Sequence, residues 1–258
     1  QIGENLPRAE AVINPHREDN EIEFRDFAGV GVAFKLACAL YDGDVEDLLE
    51  DYADYVTIGT IGDMVPLLNE NRAIVKAGLK LINTDAKIGI SALKKSTNSK
   101  AEHFSATDVA FQICPRINAA GRMDTANLAV DLLTCEDNEI AEYKAEQLNL
   151  ENTHRHEVEE KIDKDIAEIM ANDRAYQTDR VIVVAGHNYH KGVIGICAAH
   201  LVELYSKPAI VIGIDDEGNA TGSARSIDGF NIFEAISNCS DILTHFGGHP
   251  LAAGMGLN

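Results

Sequence analysis

Residues 181–214 read VIVVAGHNYHKGVIGICAAHLVELYSKPAIVIGI and predict a strand, a helix and a second strand. VIVVAG (181–186) and KPAIVIGI (207–214) are short apolar runs rich in β-branched residues, which is typical of buried strands. Between them, GVIGICAAHLVELY (192–205) has the length and apolar spacing of a helix.

The segment that follows continues this alternation. ATGSARS (220–226) and LAAGMGL (251–257) predict two more strands, and NIFEAISN (231–238) predicts another helix. Strands that alternate with helices indicate a compact α/β domain.

A long helix is expected immediately before this domain. Residues 138–171 show a helical pattern with no Gly or Pro, and residues 136–174 contain 13 acids and 5 bases, a net charge of −8. Such a helix is typical of a solvated connector with charge pairs one turn apart. We therefore predict a first domain at 1–137, a connector helix and linker at 138–178, and a second domain at 179–258.

The first 137 residues predict mostly helices with two strands. Asp44 has the position of an N-cap, and Ser105 or Thr107 can cap another helix. AVIN (11–14) and VTIGTIG (56–62) are expected as strands. The expected helices are a buried one at 28–40 and others at 45–55, 69–83, 87–94, 105–114 and 125–134.

The charge balance limits the kind of ligand. The chain has 258 residues with 22 Lys plus Arg and 42 Asp plus Glu, so its net charge is 22 − 42 = −20. This argues against coating a nucleic acid by bulk attraction, because phosphates are bound by Lys and Arg. A cleft with locally gathered basic groups can still hold a phosphate.

Cysteine usage and hydropathy bear on the compartment. The five cysteines are scattered without a C-x-x-C pair, which favours a reduced, cytoplasmic protein and argues against a structural zinc site. No run of about 18 apolar residues is present, so we expect no membrane-spanning helix.

Asp63 is the candidate metal ligand. It follows the expected strand VTIGTIG, and the carboxyl ends of strands are where open α/β sheets build sites. A carboxylate there suits a hard cation such as Mg²⁺ or Mn²⁺. Helix or turn capping by Asp63 is the alternative.

Two motifs are candidates for binding phosphate. One lies in the predicted first domain and the other near the start of the second. PRINAAGRMD (115–124) places Arg116, Asn118 and Arg122 around small residues, although surface arginines paired with acids such as Asp124 would look the same. HNYHKGVIGI (187–196) places Lys191 just before a helix whose first N–H groups can hold an anion.

Two further motifs lie near the end of the chain. GSARS offers hydroxyls and a guanidinium from Ser223, Arg225 and Ser226, and FGGHPLAAG offers Gly247 and Gly248 beside His249. A β-edge turn and a tight turn before the last strand are the respective alternatives.

Taken together and in this order, the motifs resemble the RecJ-like single-strand-specific exonucleases of the DHH phosphoesterase superfamily. The resemblance extends over essentially the whole chain. It rests on INP (13–15), AGVGVAFKLA (28–37), GTIGDMVPLLNENR (59–72), RINAAGRM (116–123), GVIGI (192–196), GSARS (222–226) and GGHPLAAG (247–254).

This resemblance implies two domains joined by a long helix, namely the remainder of a DHH-type α/β domain and a smaller α/β DHHA1 domain. It implies a site for two Mn²⁺ or Mg²⁺ ions with Asp63 as a ligand, and single-stranded DNA with a 5′ end as substrate. His249 and the arginines would then position the substrate phosphate. Repair or replication proteins would be the partners, though the sequence identifies none.

The chain also departs from the family pattern. It contains no Asp-His-His motif and no matching second Asp motif, which the family carries N-terminal to INP, and it ends before any oligonucleotide-binding fold. A two-metal mechanism needs most of its ligands. We therefore expect this chain to be inactive by itself and to expose apolar surface that favours association.

Two other functions stay open at this stage. One is a DHH phosphodiesterase for short oligonucleotides or cyclic dinucleotides, which the net acidity favours and the long motif at 59–72 opposes. The other is a non-catalytic scaffold of the same fold. Preference for dinucleotides over longer strands would favour the former.

Overall fold

The structure is a computed structural model that describes residues 6–123 and 125–257. It divides into two compact units, Gln1–Asn152 and Thr153–Asn258. This division falls inside the long helix, so the predicted breaks near 137 and 178 stay predictions. Within the described ranges, no helix is both long and apolar enough to cross a membrane.

The first unit is helical in its described part. Its elements are α1 (Gly29–Leu40), α2 (Val45–Gly62), α3 (Asn69–Thr84), α4 (Ile88–Ser96), α5 (Ala106–Asp108), α6 (Cys114–Arg122) and α7 (Ala126–Leu133). Asp44 caps α2 by accepting a hydrogen bond from the Glu46 N–H at 3.0 Å, as the sequence predicted. Ser105 caps α5 in a reciprocal capping box with Asp108, which agrees with one of the two predicted caps.

The strand predicted at 56–62 is wrong, because these residues form the last two turns of α2. Most of them are buried, so the stretch lacks the polar face that marks a surface helix. Gly59 in this stretch allows close packing, because a Cβ there would lie 2.6 Å from Val30 Cγ1 of α1. A Cβ at Gly78 of α3 would lie only 2.1 Å from both Ala53 O and Thr57 Oγ1, so the α3 backbone crosses directly over α2.

Two other expectations for this unit need correction. Residues 11–14 form no strand. The helix at 28–40 exists as α1, but it buries only Gly31 and Phe34, whereas Leu40 is 77% exposed. The expected buried helix is therefore largely exposed in this chain.

The segment between α5 and α6 is a π-helical turn, Val109–Ile113. Pro115 lies in the first turn of α6. Proline lacks an N–H and its ring clashes with the carbonyl four residues earlier, so a widened turn relieves the helix at this point. Residues 106–122 are thus one nearly continuous helical run, longer than the predicted 105–114.

The predicted connector is confirmed as a helix, α8 (Asn138–Asn172). A single helical turn, α9 (Ala175–Thr178), follows it inside the predicted linker.

The second unit contains a five-stranded mixed sheet. Its elements after α9 are β1 (Ile182–His187), α10 (Ile194–Tyr205), β2 (Ala209–Ile214), β3 (Ala220–Arg225), α11 (Ile232–Ser237), β4 (His245–His249) and β5 (Ala252–Leu257). The strand order is β1-β2-β3-β5-β4, with β1 and β2 parallel and the other pairs antiparallel. The α/β class is confirmed, and β4 is an edge strand that the sequence did not predict.

The two sheet faces differ in their covering. One face packs Ala224, Ala253 and Met255 against Ile232 and Ile236 of α11. The other face is lined in β1 and β2 by fully buried residues. A Cβ on Gly195 of α10 would touch Ser223 and Arg225 of this second face, which places α10 on it. The β5–β4 side of this face keeps exposed residues, Gly247 and Gly254 among them.

Candidate phosphate-binding site

Asp63 lies at the C-terminal end of α2 instead of at a strand end. Its N–H donates to Gly59 O at 3.0 Å, and its side chain is exposed. The C-terminal end of a helix is the negative end of its dipole, so a carboxylate there favours a nearby cation. The next residue, Met64, has a φ of 57° and is 89% exposed.

A cavity of about 220 Å³ brings Asp63 together with Asn118 of α6. Its wall consists of small and apolar groups from α2 and α6. Two residues that the sequence selected on separate grounds therefore line one cavity, with a carboxylate and an amide as its polar groups.

The guanidinium of Arg116 contacts Asn149 and Gln112, and Arg116 is not among the residues that line the cavity of Asp63 and Asn118. Its Nε donates to Asn149 Oδ1 at 3.0 Å, and its Nη1 donates to Gln112 O at 2.6 Å. Burial lowers the pKa of this guanidinium, which nevertheless stays charged in proteins. Arg122 is half-buried one helical turn beyond Asn118. The alternative pairing with Asp124 lies outside the described residues.

The described residues do not make up a two-metal site around Asp63. Within the described ranges, no group of three potential metal ligands forms there. A single exposed carboxylate does not complete the coordination of two ions, so the described residues supply only part of such a site at Asp63.

In the second unit, strand pairing brings the last two motifs together. Arg225 of β3 pairs with Ala252 of β5, which pairs with His249 of β4. Directly paired residues point to the same face, so Arg225 and His249 stand on one face with Ala252 between them. They are separated by two strand spacings, about 10 Å.

The next row towards the sheet centre is nearly free of side chains. Ser223 pairs with Gly254, which pairs with Gly247. A Cβ at Gly247 would meet nothing within 4 Å, and one at Gly254 would reach only Gly222 O at 4.0 Å. Protein packing does not require these glycines, and their bare backbone leaves room for a ligand beside Ser223, Arg225 and His249.

Helix α10 supports the cationic end of this site. A Cβ at Gly195, in its first turn, would lie 2.9 Å from Ser223 Oγ and 3.0 Å from Arg225 Nη2. Arg225 Nη1 also donates to Ser223 Oγ at 3.2 Å and to Ala224 O at 2.8 Å. Two adjacent acceptors and a close helix therefore hold the guanidinium fork in place.

His249 is exposed, and its Nδ1 accepts a hydrogen bond from the Leu251 N–H at 3.3 Å. When the ring is neutral, this contact assigns the proton to Nε2. His249 thus presents an N–H donor, and the protonated ring would add a positive charge.

The remaining selected residues lie around the site in different roles. The Ser226 hydroxyl donates to Phe230 O at 2.7 Å, within the turn after β3. Gly248 belongs to the opposite face, where a Cβ would lie 2.4 Å from Ala252 O, so it serves strand packing. Lys191 is exposed in the loop before α10, which begins at Ile194 and not at the predicted Gly192.

The sequence missed a cluster that joins α8 to α10 inside the second unit. Asp163 Oδ2 lies 2.8 Å from His200 Nδ1, and Glu159 Oε1 lies 3.5 Å from His200 Nε2. Arg155 Nη1 donates to Glu159 Oε2 at 2.6 Å. These mutual contacts describe a charge network that holds the two helices, and only the three-dimensional packing brings its members together.

Comparison with known proteins finds relatives of the whole chain and one matching domain model within the second unit. Residues 178–258 match the model of the DHHA1 domain. The chain is 44% identical over 256 residues to the single-stranded-DNA-specific exonuclease RecJ of Bacillus subtilis, covering 99% of this chain and 32% of that protein. It is 33% identical over 273 residues to RecJ of Escherichia coli, covering 99% of this chain and 47% of that protein.

Solved structures give the same result. A RecJ from Thermus thermophilus in complex with Mn²⁺ superposes with a TM-score of 0.78 and 32% identity, covering 92% of this chain and 35% of that one. A second, an exonuclease RecJ bound to manganese, gives 0.80 and 30%, covering 100% of this chain and 63% of that one. The chain spans about a third to a half of the curated relatives named above. Over nearly its whole length the chain is therefore similar to RecJ, and Ser223, Arg225 and His249 lie in the region that matches the DHHA1 domain.

Proposed function

We propose that this chain is part of a metal-dependent 5′→3′ exonuclease for single-stranded DNA, acting in DNA repair and recombination. In this proposal Ser223, Arg225 and His249 together bind a phosphate of the strand. The observation that carries it is that a guanidinium, a hydroxyl and an imidazole share one sheet face, and that only glycine and alanine lie between them. The resemblance to RecJ exonucleases supports the substrate class.

The electrostatics agree with a focused phosphate site. The chain carries a net charge of −20, so its surface as a whole repels a polyanion. A strand would therefore bind through the few local donors. Its affinity would fall as the salt concentration rises, with a slope set by the small number of phosphates that the protein contacts.

The reaction of the complete enzyme would be hydrolysis of a phosphodiester, with Mn²⁺ or Mg²⁺ as the metal that activates the attacking water. Asp63, with Asn118 beside it, is the carboxylate this chain would contribute to holding that metal. Since one carboxylate does not complete a two-metal site, we expect no nucleotide release by this chain alone in Mn²⁺ or Mg²⁺.

A phosphodiesterase for short oligonucleotides or cyclic dinucleotides is the second candidate. The small size of the site formed by Ser223, Arg225 and His249 favours it, and so does the acidity of the chain, because a short ligand places few phosphates near repelling carboxylates. Stronger binding of a dinucleotide than of a 10-mer would support this candidate over the exonuclease.

Fluorescence anisotropy with a labelled, 5′-phosphorylated single-stranded oligonucleotide at low salt tests the proposal. We expect binding that duplex DNA competes for poorly. The change Arg225→Ala should weaken binding by roughly 10- to 160-fold, which corresponds to a charge-assisted hydrogen bond of about 1.5–3 kcal/mol.

The matched control is Arg180→Ala, which removes an exposed arginine just before β1. It should leave the affinity close to that of the unaltered chain. Equal losses from both variants, or no binding by the unaltered chain, would contradict a phosphate grip at Arg225.

A further inference from the structure

The sheet face that carries Arg225 continues by one more row. Thr221 of β3 pairs with Gly256 of β5, which pairs with His245 of β4. Since side chains two residues apart point to the same face, Thr221 and His245 share the face of Arg225 and His249. The outer ends of the face thus carry polar groups, and the row of Ser223, Gly254 and Gly247 lies between them.

His245 leans over the middle strand. A Cβ on Gly256 would lie 2.3 Å from His245 Cε1 and 2.7 Å from His245 Nδ1, so the imidazole covers this glycine. Thr244 Oγ1 lies 3.1 Å from Nδ1, and when this hydroxyl donates to Nδ1 the neutral ring carries its proton on Nε2, which can then donate to a ligand. His245 is nevertheless exposed to solvent.

Thr221 also borders a cavity of about 270 Å³ that is lined in part by basic residues. His190 and Lys191, from the loop before α10, line this cavity. Asp215 lies there too, but its carboxylate accepts hydrogen bonds from the Asn219 N–H at 2.8 Å and from Asn219 Nδ2 at 3.1 Å. The turn thus occupies the oxygens of this carboxylate, while Lys191 lines the same cavity as Thr221.

We propose that Thr221 and His245 form a second phosphate subsite, which holds the phosphate adjacent to the one at Ser223, Arg225 and His249. The strand would lie along β5, over Ala252 and Gly254, with polar groups of β3 on one side and histidines of β4 on the other. This inference rests on the proposed function and specifies its substrate as a strand with at least two phosphates. The Arg225 and Thr221 rows are four residues apart, about 14 Å, and the Ser223 row lies midway.

Calorimetric titration of the 258-residue chain with thymidine 5′-phosphate and with 5′-phosphorylated thymidine dinucleotide tests the inference. The dinucleotide should bind the unaltered chain at least about tenfold more tightly, because it fills both subsites. His245→Ala should remove this gain, meaning the tighter binding of the dinucleotide relative to the mononucleotide, and leave the affinity for the mononucleotide unchanged. Thr221→Val should reduce the gain, and His245→Lys should restore it because a cation replaces the imidazole.

The control is His187→Ala, at the end of β1, where the histidine pairs with Ile214 and points to the opposite face. It should retain the full gain. A gain that survives His245→Ala, or that His245→Lys fails to restore while both variants melt like the unaltered chain, would overturn the second subsite. Failure of the unaltered chain to bind either nucleotide would overturn the proposed phosphate grip itself, and the second subsite with it.

Discussion

At the residue scale, Gly195 shows how a missing side chain shapes a binding site. Its Cα faces the Ser223 hydroxyl and the Arg225 guanidinium, so α10 can approach β3 closely. Because both neighbours are the ends of side chains, an added methyl group would move them without disrupting the backbone.

We therefore expect Gly195→Ala to weaken binding of a single-stranded oligonucleotide by about tenfold while stability is kept or slightly raised. Alanine favours a helix over glycine by about 1 kcal/mol, which offsets the local crowding. Anisotropy measures the affinity and thermal denaturation the stability. Unchanged affinity would show that the position of Arg225 does not matter for binding.

The cysteines provide a second prediction at this scale. Cys239 is exposed, whereas Cys114 is buried, and desolvation raises the pKa of its thiol to about 11. Burial likewise raises the pKa of Cys197. The thiolate is the reactive form, so a raised pKa slows alkylation at neutral pH.

Iodoacetamide at pH 8 should accordingly modify Cys239 first, and Cys114 and Cys197 only on unfolding. Peptide mass spectrometry over a time course measures this order. Early modification of Cys114 in the folded chain would contradict the packing of α6 against α2.

At the element scale, the crossing of α2 and α3 depends on Gly78. A Cβ there would lie 2.1 Å from the Ala53 carbonyl oxygen, and a backbone atom cannot move aside as a side chain can. Overpacking of a core costs typically about 1–3 kcal/mol.

We expect Gly78→Ala to lower the free energy of unfolding by about 3 kcal/mol, the upper end of the range for overpacking. Gly121→Ala is the matched control in α6, since a Cβ there meets nothing within 4 Å. It should be neutral or stabilise by up to about 1 kcal/mol. Urea denaturation measures both, and equal effects would contradict the close crossing.

The sequence predicted some elements well and missed others for identifiable reasons. Residues 181–257 alternate between β-branched runs and helical spacing, so β1, α10, β2, β3, α11 and β5 were all predicted. Residues 56–62 were predicted as a strand, because a helix buried on most sides loses its polar face and β-branched residues then resemble a strand. The edge strand β4 contains two adjacent glycines, which weaken any strand signal.

The candidate site was partly predictable. Its residue types were recognisable in GSARS and FGGH, but sequence spacing does not give strand register. The strand register places Arg225 and His249 on one face of the sheet and Gly248 on the opposite face. The charge network of Glu159, Asp163 and His200 depends on a helix pairing that no local pattern encodes.

At the scale of the whole molecule, exposed apolar surface on α1 bears on behaviour in solution. Leu36 and Leu40 are 40% and 77% exposed, and the adjacent Tyr41 is 44% exposed. Contiguous apolar patches promote association.

Sedimentation velocity should therefore show concentration-dependent association of this chain, and Leu40→Glu should reduce it. A monodisperse monomer at all concentrations would contradict this expectation. The net charge of −20 opposes association, so high salt should strengthen it by screening the repulsion.

We propose above all that the second unit binds a nucleic-acid phosphate on the sheet face shared by Ser223, Arg225 and His249. Amide NMR of the labelled chain, titrated with a 5′-phosphorylated thymidine oligonucleotide, tests it most directly. We expect saturable shifts concentrated at the amides of Ser223, Arg225, Gly247, His249 and Gly254, and their loss in Arg225→Ala. Shifts elsewhere in the second unit with these five amides unmoved would contradict it.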